Sequence, residues 1–302
     1  MTGESTVAGS VRRQRGKSAA SLALVDAAVV ILREIQPASV RAVCYRLFTM
    51  GLIDNMSKGS TNRVSTQLVW ARENGMIPWE WIVDETRAVE RTSSWRNPDA
   101  IINAAVRGYR RDYWQDQPRR IEVLSEKGTV RGTLAPVLNK YGVNFRVMHG
   151  YGSATALNGI AEESTRCTKP MTAFYVGDWD PSGLHMSEID MPTRIERYGG
   201  EVNIERIALR ADDVTGNLPS FDAATKTGDP RHRWFVDHYG TRCWELDAMS
   251  PVVLRQRAEA AIFCALDRDA WEHAMAIEAV EVESMKAFSK SWQASKCAGV
   301  RL

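Results

Sequence analysis

The chain has 302 residues, with 39 Lys+Arg against 37 Asp+Glu and a formal net charge of +2. At 44% hydrophobic and 25% charged residues, it is neither a disordered chain, nor collagen-like, nor a disulfide-stapled miniprotein. The near-neutral sum also removes any simple charge argument for a nucleic-acid partner, which must come from where the charges sit. Length predicts about two domains. The five cysteines are scattered and lack a CxxC pair, which argues against a disulfide framework or a zinc knuckle. His232, His238 and Cys243 have no usual metal-ligand spacing. The apolar run Ala19–Leu32 is interrupted by Asp26 and is too short to span a bilayer. No small-residue cleavage site follows it, so the expectation is an amphipathic helix in a cytoplasmic protein.

Residues 1–18 carry Arg12, Arg13, Arg15 and Lys17 among Gly, Ser and Thr, and read as a basic flexible tail. Gly16-Lys17-Ser18 resembles the end of a phosphate-binding loop, but Val11 stands where the earlier glycine is required. Apolar spacing predicts a helix from Ala19 to about Ile35, ended by Pro37. Ser39 N-caps a second helix, Val40–Met50, closed by Gly51. A third runs from about Thr61 to Glu73 and is closed by Asn74-Gly75. Met76–Val83 reads as an extended, hairpin-like aromatic stretch. Three short helices followed by such a segment read as a winged-helix DNA-binding domain over residues 19–115. Lys58, Arg63, Gln67 and Arg72 lie on its groove helix and the approach to it. A helical bundle with a solvated polar face is the alternative. Pro98–Trp114 reads as a further helix carrying Arg107, Arg110 and Arg111, and Gln115–Arg120 as a domain boundary.

From residue 116 the pattern alternates. Strands are predicted at Ile121–Ser125, Val143–Met148, Met171–Val176 and Val202–Leu209. Helices are predicted at Gly128–Tyr141, Gly152–Glu163 and Ser182–Tyr198. This implies a parallel α/β sheet over the second domain, 116–302, with active groups just past the carboxyl ends of its strands. Ala211–Gly240 reads as a long surface loop, and Pro251–Trp292 as a helical C-terminal extension.

Two of those strand ends carry acids. One is Glu126-Lys127-Gly128; the other is Gly177-Asp178-Trp179-Asp180-Pro181-Ser182-Gly183. In an extended segment Asp178 and Asp180 point to one side. Paired like charges raise each other's pKa unless a cation intervenes, and Mg²⁺, with Mn²⁺ as the alternative, suits hard carboxylate donors. Glu126 supplies a third ligand or a general acid/base. The competing reading is that these acids only cap helices.

Glu126 at the end of the first strand and Asp178-Trp179-Asp180-Pro181-Ser182-Gly183 resemble a Toprim domain, and Glu126-Lys127 and Gly150-Tyr151-Gly152-Ser153-Ala154-Thr155 join the latter in a narrower likeness. Together they are similar to the A subunit of topoisomerase VI and the related meiotic double-strand-break transesterases, in a short bacterial, phage or mobile-element version. The likeness covers roughly Val40 to Leu209, with a weaker echo at Trp244-Glu245-Leu246-Asp247-Ala248. That family carries its nucleophilic tyrosine on an N-terminal winged helix after an arginine. Arg41-Ala42-Val43-Cys44-Tyr45 matches at Arg41 and Tyr45, with Cys44 where the family often has an aromatic residue.

Helical geometry tests Tyr45 separately. At about 100° per residue, Val40, Val43, Cys44, Leu47 and Phe48 form one stripe and Tyr45 falls roughly 130° from its centre, near Arg41. The expectation is an outward hydroxyl beside a cation that favours phenolate or holds a phosphate.

The resemblance implies that Tyr45 attacks a DNA phosphodiester to form a 5′-phosphotyrosyl bond. Glu126, Asp178 and Asp180 would hold Mg²⁺, with Lys127 and Arg41 as electrostatic helpers. It further implies double-stranded DNA as substrate, tyrosine and metal supplied by different protomers of a homodimer, a separate ATPase B-type subunit as a candidate partner, and a nucleoid-associated location. Two other functions fit the same residues: a Toprim metallonuclease in which water attacks, and a non-catalytic DNA-binding protein.

Overall fold

The computed structural model describes residues 17–82, 94–148, 152–214 and 218–299, with side chains up to 294. The expected basic arginines of the tail, Val83 of the aromatic stretch, and Gly150-Tyr151 lie outside these.

Three helices open the chain: α1 (Ala19–Ile35), α2 (Val40–Thr49) and α3 (Lys58–Glu73). Each starts on a serine whose hydroxyl accepts a backbone N–H of the first turn. Ser18 accepts from Ser21, Ser39 from Ala42 and Ser57 from Ser60; such caps each contribute about 1 kcal/mol. Val25, Leu32, Val43, Leu47, Val64 and Leu68 form the core between them. The expected extended segment after α3 is instead a 3₁₀ turn at Trp79–Trp81, after which Ile82 bridges Ala38 in parallel. Two causes are visible. Pro78 has no N–H for a ladder, and Arg72 reaches back to the Trp79 carbonyl at 2.8 Å while stacking 4.3 Å over its ring.

Helix α4 (Pro98–Gly108) stops short of the expected Trp114, which instead sits in a 3₁₀ turn, Tyr113–Gln115. The chain then enters a four-stranded, all-parallel sheet of order β2-β1-β3-β4, made of β1 (Arg120–Ser125), β2 (Asn144–Val147), β3 (Met171–Val176) and β4 (Asn203–Ala208). The protein is therefore α/β. The central strands β1 and β3 are buried nearly throughout because both faces are covered. On one side pack α5 (Val130–Tyr141) and, from the C-terminal part, α10 (Pro251–Ala265). On the other lie α6 (Ala154–Arg166) and α8 (Met191–Arg197).

Two expectations are corrected here. Ser182–Tyr198 is not one helix: α7 (Pro181–His185) passes through a π turn, Met186–Asp190, into α8. Pro192 lacks the N–H for a regular α bond, and the wider turn absorbs it. The described parts of the expected 211–240 loop, 211–214 and 218–240, hold regular structure instead. They hold 3₁₀ turns at Ala211–Val214 and Ala223–Lys226, strand β5 (Ser220–Asp222) and helix α9 (His232–Tyr239). β5 pairs antiparallel with β6 (Arg242–Trp244). Ala223, Phe235 and Cys243 are wholly buried in the main core and anchor the segment.

The last helix, α11 (Arg268–Gly299), packs along α4. Glu281 accepts from the Tyr109 hydroxyl at 2.6 Å and from Arg111 at 2.8 Å, and Asp99 accepts from the Trp292 indole at 3.0 Å. Among the described residues no helix is long and apolar enough to cross a membrane.

Candidate active site

Parallel pairing of β1 with β3 sets Ser125 beside Val176, so Glu126-Lys127 and Gly177–Asp180 leave the sheet side by side. The second segment is tightly shaped. A Cβ on Gly183 would lie 2.5 Å from the Asp178 carbonyl oxygen, and one on Gly177 would lie 2.5 Å from the Tyr175 ring. Only glycine lets the chain fold back here. Arg206 on β4 ties the turn from below, donating to the carbonyls of Gly177 and Asp178 at 3.1 Å, to that of Gly183, and to the Ser187 hydroxyl at 2.8 Å.

Both aspartates are buried, and both are partnered. Asp180 Oδ1 accepts from the Gly183 N–H at 2.7 Å and so caps α7, as the competing sequence reading had it; Oδ2 is held by Lys226. Asp178 Oδ1 accepts from the Leu246 N–H at 2.7 Å and pairs with Lys127 at 2.8 Å. Glu126 is half-buried and has no hydrogen-bond or ion-pair partner among the described residues. Burial, then the charges of Asp178 and Asp180, push its carboxyl above the usual range. The three acids are thus brought together electrostatically.

Lys127 is the hub of a second set of contacts. Besides Asp178 it meets Asp247 at 3.0 Å and Glu245 at 3.9 Å. Glu245 in turn pairs closely with Arg41 of α2, which also lies 3.6 Å from Asp247. Ser39 adds a bond to Asp247 at 3.3 Å. The 245–247 segment is fixed by a two-way backbone pairing of Trp244 with Trp179, each N–H···O at 2.9 Å. Glu245 and Asp247 were absent from the sequence-derived site; their only signal was the weak Trp244–Ala248 likeness.

Tyr45 differs from expectation. It lies outside the apolar core of the first three helices, as its place on the helical wheel required. Yet it is only 6% exposed, because the polar side of α2 meets the 3₁₀ turn Leu246–Ala248 rather than water. The Arg41 guanidinium sits 5.7 Å from its ring. Burial, then Glu245, raise the phenol pKa, and Arg41 and Lys127 only partly oppose them. The expected outward, phenolate-favouring tyrosine is therefore a buried, protonated one.

The four groove candidates separate. Lys58 and Arg63 are exposed on α3. Gln67 accepts from Lys17 at 2.6 Å, and Arg72 is committed to the Trp79 and Ile82 carbonyls. Asn62 and Thr66 share the exposed face with Arg63.

The donor set fits a hard divalent cation in its chemistry, since it is all carboxylate oxygen. A second observation agrees. The Tyr175 hydroxyl is fully buried without a hydrogen-bond partner, within the electrostatic reach of Glu126, Asp178 and Asp180. As they stand, however, no three such side chains among the described residues converge closely enough to hold an ion. Comparison of the chain with described protein families, with curated proteins and with solved structures gave no match.

Proposed function

We propose that the chain cleaves DNA by tyrosine transesterification in the manner of a topoisomerase VI A subunit, with a winged-helix-like unit carrying Tyr45 and a Toprim-like unit carrying the acids. One observation carries the reading: a continuous run of contacts, Arg41 to Glu245 and Asp247, these to Lys127, and Lys127 to Asp178, joins the tyrosine helix to the acid cluster. Arg41, at the end of that run, sits 5.7 Å from the Tyr45 ring.

In the reaction the Tyr45 oxygen bonds to phosphorus as its proton leaves. The P–O3′ bond breaks and the 3′ oxygen takes up a proton. Glu126, Asp178 and Asp180 would hold Mg²⁺ or Mn²⁺, which supplies charge stabilisation at the phosphate. Arg41, beside the phenol ring, and Lys127 offset charge on the phenol oxygen and the phosphate. A homodimer cutting both strands, an ATPase partner and a nucleoid-associated, cytoplasmic setting belong to the same proposal. The buried hydroxyl favours a second reading, a metallonuclease in which water attacks.

Supercoiled DNA incubated with the protein and Mg²⁺ or Mn²⁺, then run with and without protease, separates the two. Nicked or linear DNA that appears only after protease supports the covalent reaction, and Tyr45→Phe abolishes it while DNA binding remains. Protease-independent products that survive Tyr45→Phe indicate hydrolysis.

A further inference from the structure

Asp178 and Asp180 are each neutralised by an ammonium group, and the two groups are held differently. Lys127 lies among three carboxylates and bridges two parts of the chain, so it is structurally committed. Lys226 ends the 3₁₀ turn after β5; its side chain is 35% exposed, and Asp180 is its one ion-pair partner among the described residues. Its remaining contact is with the Phe221 ring, 5.6 Å away. Loss of the Asp180 contact leaves this ammonium free to turn into water.

The oxygens themselves show what Lys226 blocks. Asp178 Oδ1 is taken by Leu246 and Lys127, and Asp180 Oδ1 by Gly183. The oxygens left for an ion are Asp178 Oδ2, the Glu126 carboxylate and Asp180 Oδ2, and Lys226 sits on the last. The Tyr175 hydroxyl, buried beside Gly177 without a hydrogen-bond partner, feels the charge of all three acids. We infer that Lys226 is a resident counter-ion of the acid cluster, and that a divalent cation binds by displacing its ammonium from Asp180 Oδ2. Lys226 thereby sets the metal affinity and selects a doubly charged ion, since a monovalent one offers Asp180 no more charge than the lysine already does. The inference rests on the proposed metal site and extends it to a residue on the segment at first read as a loop.

The test is Mn²⁺ binding to the full chain, followed by electron paramagnetic resonance, for the wild type, Lys226→Gln and Glu126→Gln. Lys226→Gln should bind at least tenfold more tightly than wild type, and Glu126→Gln more weakly. Wild-type binding that Lys226→Gln leaves unchanged or weakens overturns the inference while the metal site stands. No binding by wild type or Lys226→Gln overturns both. A measurement on the unmodified protein guards against a misfolded variant. Reductive methylation of Lys226, read by mass spectrometry, should rise several-fold when Mg²⁺ is added and should not respond to K⁺. Unchanged labelling with Mg²⁺ overturns the displacement.

Discussion

The Leu246 amide donates to Asp178 Oδ1 at 2.7 Å, so the segment that receives Arg41 also orients the first aspartate of the acid pair. Helix α2 and the strand end of β3 are coupled through one short stretch of chain. Its charges balance only because Lys127 is there.

Lys127→Met should therefore unfold the local network. It leaves Asp178, Asp247 and Glu245 with only Arg41, on Glu245 and Asp247, to offset them, and removing one partner from a buried ionic cluster costs about 3 kcal/mol or more. Urea denaturation should show that loss, and adding Asp247→Asn should recover part of it.

Gly183→Ala forces a Cβ to within 2.5 Å of the Asp178 carbonyl. The backbone has to shift, at a cost of about 1–3 kcal/mol. Thermal melting should register this, and the proposed DNA-cleaving activity should fall by more than the stability loss explains, because the shift moves Asp178 and Asp180.

Arg206→Lys should also destabilise, by about 2–4 kcal/mol in chemical denaturation, as a single ammonium cannot serve the carbonyls of Gly177, Asp178 and Gly183 together.

On the exposed face of α3, Arg63→Ala should weaken DNA binding and shallow its salt dependence by about one unit of slope. Gln67→Ala should leave binding nearly unchanged, because its amide oxygen is engaged by Lys17. Fluorescence anisotropy across a salt series distinguishes the two.

Glu122 gives a pH signature away from the site. It is buried, with Oε1 unpartnered and Oε2 3.2 Å from Arg146. Burial holds its carboxyl above the ordinary 4.5 despite Arg146. Below pH 4.5 both folded and unfolded states carry the proton. As pH rises through the raised folded value, only the folded state still holds it, so stability falls. Glu122→Gln does not titrate, and its melting temperature relative to wild type should climb between pH 4.5 and 7.

Much of this was legible in the sequence because local rules decided it. Ser39 capped the second helix as expected, and short apolar-rich segments placed β1 and β3, whereas the Ser57 cap went unread and α3 begins at Lys58 rather than Thr61. Glycines at 177 and 183 and a proline after the second aspartate marked a strand end. What escaped was non-local. Tyr45 was correctly removed from the apolar stripe, but its cover comes from Leu246–Ala248, some two hundred residues away. Lys226 and α9 were hidden because the 211–240 composition is rich in Asp, Gly, Pro and Thr, while their anchors Ala223, Phe235 and Cys243 are single residues with no periodic pattern.

The order of the chain has a consequence for synthesis. The first three helices have a core of their own, but their attachments to the rest come late. Arg41 meets Glu245 across 204 positions, and Tyr109 meets Glu281 across 172. While the ribosome is still making the final third, α2 has a bare polar side and α4 has no neighbour along its length. The N-terminal helices emerge early and wait, and the contacts that join α2 to the acid cluster form only once Glu245 and Asp247 have left the exit tunnel.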